Sequence, residues 1–145
     1  MKREEAPGRE EFPLFRPITT RWMDQDPYGH VNNVEYYSYF DTAVNQHLIE
    51  EAGLNPRSTD VVGMVVDTQC SFFHELTFPE TVEVGIRVTK LGRSSIAYEI
   101  GIFRQGEEKP AALGHFVHVY VERATMTPIP IPAHVRAAVE PLVMG

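Results

Sequence analysis

The sequence predicts an α+β domain in which a five-stranded antiparallel sheet wraps one long helix. One segment alone, near residues 33–52, combines length with 3–4–4 apolar spacing. Almost everything after residue 61 alternates with period two, and turns containing Gly or charged residues separate the alternating runs. The 145 residues, 43% hydrophobic and 23% charged, suit a single domain over residues 1–145 with a full-sized core.

Residues 1–12 read as a loose leader, because Met1 to Glu11 is charged, contains Pro7 and Gly8, and lacks the apolar stretch of a secretory signal. Ile18 to Met23 alternates and predicts a first strand, which Pro27 and Gly29 then break. The helix follows, with Tyr37, Phe40, Val44 and Leu48 on its apolar stripe and Tyr36 and Ala43 widening it. Asn32 is placed to cap its start, with Glu35 in capping-box position, and Gly53 and Pro56 supply the stop. At about 20 residues it spans roughly 30 Å, enough to cross a small sheet.

Four strands come next. Val62, Met64, Val66, Thr68, Cys70 and Phe72 share one face of the first, and Val82, Val84, Ile86 and Val88 alternate cleanly with polar residues in the second. Ile96, Tyr98, Ile100 and Ile102 define the third. Leu113, His115, Val117, Val119 and Val121 share a face of the last. Pro128, Pro130 and Pro132 end the sheet, and a short helix over residues 133–143 closes the chain. One helix cannot cover both faces of such a sheet, and a free sheet edge invites a second copy, so a homo-oligomer is expected.

Charge and composition exclude several classes. The net charge is −7 with no basic stripe, so nucleic acid is not an expected partner. No apolar run approaches the length of about 18 residues that a membrane helix needs. The single cysteine, Cys70, forms no internal disulfide and fits a reducing, cytoplasmic setting. His115 and His118 lie three apart on a strand and point to opposite sides, so they do not form a metal pair, and no metal or other cofactor is expected. There is no Gly-x-Ser-x-Gly elbow and no glycine-rich phosphate loop.

The chemistry concentrates between Arg21 and Tyr37. Asp26, then a turn containing Gly29, stands just before the start of the helix, where unpaired N–H groups and the positive end of the dipole collect. Such a terminus can polarise a carbonyl, and a nearby carboxylate can act on the same carbon as a base toward water or as a nucleophile. A thioester suits this equipment, because its leaving thiolate has a parent pKa of about 8.5 and needs no strong acid. His30 is placed to orient Asp26 or contact substrate. Asp24 reads as a turn or cap residue.

Asp24-x-Asp26-x-x-Gly29-His30-Val31-Asn32-Asn33-x-x-Tyr36 resembles the hallmark of the 4-hydroxybenzoyl-CoA thioesterase-like branch of the hotdog fold. The resemblance extends to Tyr39-Phe40-Asp41, to Lys90 through Ser95, and to the Pro-rich exit. It implies an acyl-CoA thioesterase active as a dimer or dimer of dimers, up to a homotetramer, with sites at the dimer interface. Asp26 would be the catalytic carboxylate, and the Asn33 backbone N–H would hold the thioester oxygen. His30 joins them as a catalytic candidate. Gly29, Tyr36, Arg93, Ser94 and Ser95 are the substrate-binding candidates, the last three for CoA phosphates. Some relatives carry small or apolar residues where this chain has His30, Asn32 and Asn33; the polar version is common in acyl-CoA hydrolases of broad range and points away from aromatic substrates. Two other functions fit the same loop: a hotdog enoyl-thioester hydratase or dehydratase using Asp26 with His30, and a non-catalytic acyl-CoA binding module.

Overall fold

The computed structural model describes residues 1–57 and 59–144. Strands β1 (Leu14–Thr19), β2 (Val61–Phe72), β3 (Thr81–Leu91), β4 (Ser95–Arg104) and β5 (Ala112–Glu122) form one antiparallel sheet in the order β1-β3-β4-β5-β2. Helix α1 (Asn33–Ala52) lies against its inner face, and a short α2 (Ala133–Val139) follows the Pro-rich exit.

The helix forms where its periodicity places it. Asn32 caps it, its side chain accepting from the Val34 N–H at 3.1 Å. Gly53 ends it in the left-handed region at φ 65°, which a glycine adopts without strain. Glu35 does not close a capping box. The Asn32 N–H is already taken by the Asp24 carbonyl at 2.8 Å, and the Glu35 carboxylate lies 3.6 Å from Arg21 instead. Buried Tyr36, Tyr39, Phe40, Ala43, Val44, His47 and Leu48 form the inward face, while Tyr37 is only half-buried.

The first strand lies earlier than the alternation predicts. It stops at Thr19, and Trp22–Asp24 is a single 3-10 turn that leaves Trp22 and Met23 exposed. The cause is Asp24: its carboxylate accepts the Arg21 backbone N–H at 2.9 Å while its own N–H donates to the Arg21 carbonyl, and the two bonds fold the chain back.

The second strand also departs from a simple alternation. Pairing with β5 shifts between Val65 and Asp67, so Val66 is an inserted bulge residue. A one-residue insertion exchanges the faces. Gly63 and Val65, opposite Tyr120 and His118, face the helix before it; Thr68, Cys70 and Phe72, opposite Phe116, Gly114 and Ala112, do so after it. On β5 the buried inner side chains are Phe116, His118 and Tyr120, and the Leu113-to-Val121 set points away from α1.

The leader is packed rather than loose. Phe12 and Ala6 are buried with Phe103 and Leu113 on the outer face of the sheet. The charges that made the segment look solvated lie at the edge of this cluster: Arg3 donates to Glu107 and to the Pro110 carbonyl, and Arg9 pairs with Glu83 at 2.9 Å. Apolar burial holds the segment and peripheral pairs orient it.

His118 gives this core a pH dependence. It is 3% exposed, and its Nδ1 has no hydrogen-bond partner. Burial pushes its pKa down to about 4. The unfolded chain protonates it near its ordinary value of about 6.5, so between these values the unfolded state binds the extra proton. Stability is therefore complete above about pH 6.5 and falls toward pH 4 by up to about 1.4 kcal/mol per unit. Urea unfolding at pH 7.5 and 5 is expected to show this loss, and His118→Leu to flatten it. An unchanged slope in the variant would assign the acid sensitivity elsewhere.

Candidate active site

A cavity of about 590 Å³ opens at the start of α1. Asp26, Pro27, Tyr28, His30, Asn33 and Tyr36 line one wall, and Phe72 to Glu75, at the end of β2, line the other. The two walls are tied by the Val31 N–H, which donates to the Leu76 carbonyl at 2.8 Å.

The Asp26 loop is built from its own backbone. The Asp26 N–H donates to the His30 carbonyl at 2.8 Å and the Gly29 N–H to the Asp26 carbonyl at 3.1 Å. Gly29 sits at φ 82°, which this tight return requires and a side chain would resist. The Asp26 carboxylate accepts the N–H groups of Tyr28 at 2.9 Å and His30 at 3.3 Å through Oδ1. One oxygen is thus held by the loop, and Oδ2 makes no hydrogen bond to the described residues. The Asn33 N–H, in the first turn of α1, likewise has no acceptor among the described residues. A carboxylate and an open helix N-terminus therefore share one cavity, the pairing that carbonyl activation requires.

Asp24 anchors this loop from below. It is 1% exposed and accepts from Arg21 Nε and from the Tyr39 hydroxyl, both at 2.9 Å. Burial alone would raise its pKa, but the bonds from Arg21 and Tyr39 outweigh burial and hold it below the usual carboxylate range. Burial, reinforced by Asp24, pushes the Tyr39 phenol far up.

The structure brings Asp26, Gly29, His30, Asn33 and Tyr36 together, but not Arg93, Ser94 and Ser95. In the sheet register Ser95 pairs with Val119 and Phe72 with Ala112, seven residues along β5. At about 3.3 Å per residue the turn lies roughly 23 Å from the cavity within one protomer. Sequence reasoning missed Glu75, whose carboxylate lies 3.0 Å from His30 Nε2, and Phe73 and His74 beside it. No motif marks them; only the antiparallel return of β2 to the start of α1 brings them there. Among the described residues no group of three metal-binding side chains occurs, and no helix is long and apolar enough to cross a membrane.

A five-stranded antiparallel sheet curled on one long helix, with a carboxylate loop at its N-terminus, defines the hotdog-fold thioesterase class. The chain belongs to the thioesterase-like superfamily, whose family model matches residues 20–139. The PA5185 protein of Pseudomonas aeruginosa PAO1 is 47% identical, with a TM-score of 0.93 over 96% of this chain and 97% of that one. BH1999, a gentisyl-coenzyme A thioesterase, is 25% identical with a TM-score of 0.74 over 86% of this chain and 98% of its own. The uncharacterized protein YsmA of Bacillus subtilis (strain 168) is 24% identical over 113 residues, 77% of this chain and 75% of that one.

Proposed function

We propose that the protein hydrolyses acyl-CoA thioesters to the free acid and CoA. The observation that carries this reading is the Asp26 carboxylate, held with one oxygen free, in the same cavity as the open Asn33 N–H. The thioester oxygen accepts from that N–H, which draws charge from the carbonyl carbon. Asp26 takes a proton from water as its oxygen attacks, or attacks directly to form an anhydride that water then opens. In either route the C–S bond breaks and CoA leaves as thiolate, to be protonated. His30 lines the reaction space, and the similarity to a gentisyl-CoA thioesterase keeps aromatic acyl groups within range.

The test is thiol release from a panel of aliphatic and aromatic acyl-CoA thioesters. Turnover on at least one is expected. Silence across the panel, or hydration of an enoyl-CoA with no thiol released, would overturn the reading.

The working unit is a dimer or larger. Strand β2 is a sheet edge of 12 residues with exposed Met64, Val65 and Val66. Edges of that kind pair with another chain. Antiparallel pairing of two β2 strands about a two-fold axis carries the partner's Arg93–Ser95 end toward this protomer's Phe72–Glu75 end. That supplies the cation which this cavity's own lining, free of Lys and Arg, lacks for CoA phosphates. Light scattering is expected to give at least twice the 16.4 kDa chain mass, and a fully active monomer would refute the shared site.

A further inference from the structure

The structure assigns a second ligand site, for a short carboxylate, to the cavity between the C-terminal half of α1 and the paired ends of β2 and β5. The site is independent of the hydrolase reading and far from the cavity that carries it. Gly63 pairs with Tyr120 at this end of the sheet and Phe72 with Ala112 at the other, eight residues along β5. At about 3.3 Å per residue the two cavities lie roughly 26 Å apart within one protomer.

Two side chains that line this cavity bury polar atoms without partners. His118 and Tyr120 are 3% and 1% exposed. The His118 Nδ1 and the Tyr120 hydroxyl are buried and have no hydrogen-bond partner among the described residues. The same holds for the hydroxyl of Tyr98, whose ring centre lies 5.6 Å from that of His118. The Tyr120 ring lies directly over Gly63, where a Cβ would meet its Cζ at 3.1 Å, so the backbone of β2 fixes where the phenol sits. Cores satisfy nearly all such groups, and three unsatisfied neighbours are a costly arrangement for packing alone.

Charge gives the class of ligand. Arg123 lines the cavity too. Its Nε donates to the Thr59 carbonyl at 3.2 Å and its Nη2 to the Pro56 carbonyl at 3.0 Å, so neutral acceptors hold the guanidinium in place. Asp60 and Glu122 share an adjoining outer cleft with Arg123, yet among the described residues no carboxylate pairs with it. Burial pushes the Tyr120 pKa up to about 12 and that of His118 down to about 4, so at neutral pH each offers an uncharged O–H or N–H. A cation and two neutral donors suit a carboxylate, which accepts through both oxygens. Leu48 and Leu54 supply apolar wall for a short tail. The volume of about 90 Å³ equals about three waters at roughly 30 Å³ each, which limits the ligand to about four to six heavy atoms.

Thermal unfolding with acetate, propionate and lactate, against sodium chloride at equal ionic strength, tests the assignment. With a Kd of about 1 mM, about 20 mM of at least one acid is expected to raise the melting midpoint by about 5 °C. The matching uncharged amide is expected to raise it by less than about 1 °C. Tyr120→Phe removes an unpartnered hydroxyl, so its midpoint without ligand should match or exceed that of wild type while its Kd rises about tenfold. Arg123→Met keeps most of the side-chain stem and should weaken binding by about tenfold or more, read as the shift over its own ligand-free midpoint. In histidine NMR spectra the acid should move the His118 signal, identified by its loss in His118→Leu, and leave that of His30 in place. No response beyond chloride, an equal response to the amide, a response that survives either substitution, or a shift at His30 without one at His118 overturns the assignment.

Discussion

Asp26→Asn is expected to lower thiol release by about a thousandfold while leaving the fold intact. Asparagine keeps an oxygen where Oδ1 accepts from the Tyr28 and His30 N–H groups, so the loop retains its shape. What disappears is the charge, and with it both proposed roles, base and nucleophile. Asp26 is only half-buried, so the melting midpoint should move by no more than about 3 °C. Asp24→Asn supplies the contrast. That carboxylate is buried and bonded to Arg21 and Tyr39, and removing its charge leaves polar groups unsatisfied in the core. It should lower stability by about 2 kcal/mol, with any loss of activity following from the displaced loop. Thiol release and thermal unfolding measured on both variants separate the two acids. Near-wild-type turnover in Asp26→Asn would remove it from the chemistry.

The contrast bears on what the sequence could reveal. That Asp26, Gly29, His30 and Asn33 lie together was legible because they are contiguous: a loop and the helix it enters, marked by a break in period and a cap. The helix itself was legible because a 3.6-residue stripe with Gly53 at its end has no competing interpretation. The faces of the strands were harder. Strand β5 carries apolar residues on both sides, Phe116 and Tyr120 inward, Val117 and Val119 outward, so a period of two cannot say which side meets the helix. In β2 the bulge at Val66 reverses the alternation, and nothing in Met64-Val65-Val66-Asp67 announces it. The leader misled for another reason. Its two 3-10 turns carry many charges, and Phe12 and Ala6 are the apolar side chains it buries in the outer cluster. Arg93 to Ser95 is a turn whose distance from Asp26 only the strand register fixes, and only a second chain can shorten it.

Helix α1 comes close against β5 where the Phe40 ring lies over Gly114, and Gly114→Ala should show how much that approach matters. A methyl group built on Gly114 would lie 2.8 Å from Phe40 Cε1 and nearer still to Cζ and Cε2 of the same ring. The ring has nowhere to go: Phe40 is fully buried, Tyr37 meets it edge-on at 5.7 Å, and the strand neighbours opposite Gly114 are Ile100 and Cys70. Relief requires α1 to lift from β5 or Phe40 to leave its rotamer, and overpacking of that kind costs about 3 kcal/mol. For a chain of this length the melting midpoint should fall by roughly 10 °C. Phe40→Leu, a cavity-forming change on its own, should restore part of the loss in the double variant, because the shorter side chain admits the methyl. That non-additivity is the signature of direct contact rather than of a remote effect. Because Asn33 rides on the same helix, a lifted α1 also moves its N–H away from the loop that holds Asp26, so surviving activity should fall more than stability alone explains. A Gly114→Ala protein within about 1 kcal/mol of wild type would mean that the sheet yields at this point and that the helix is positioned elsewhere.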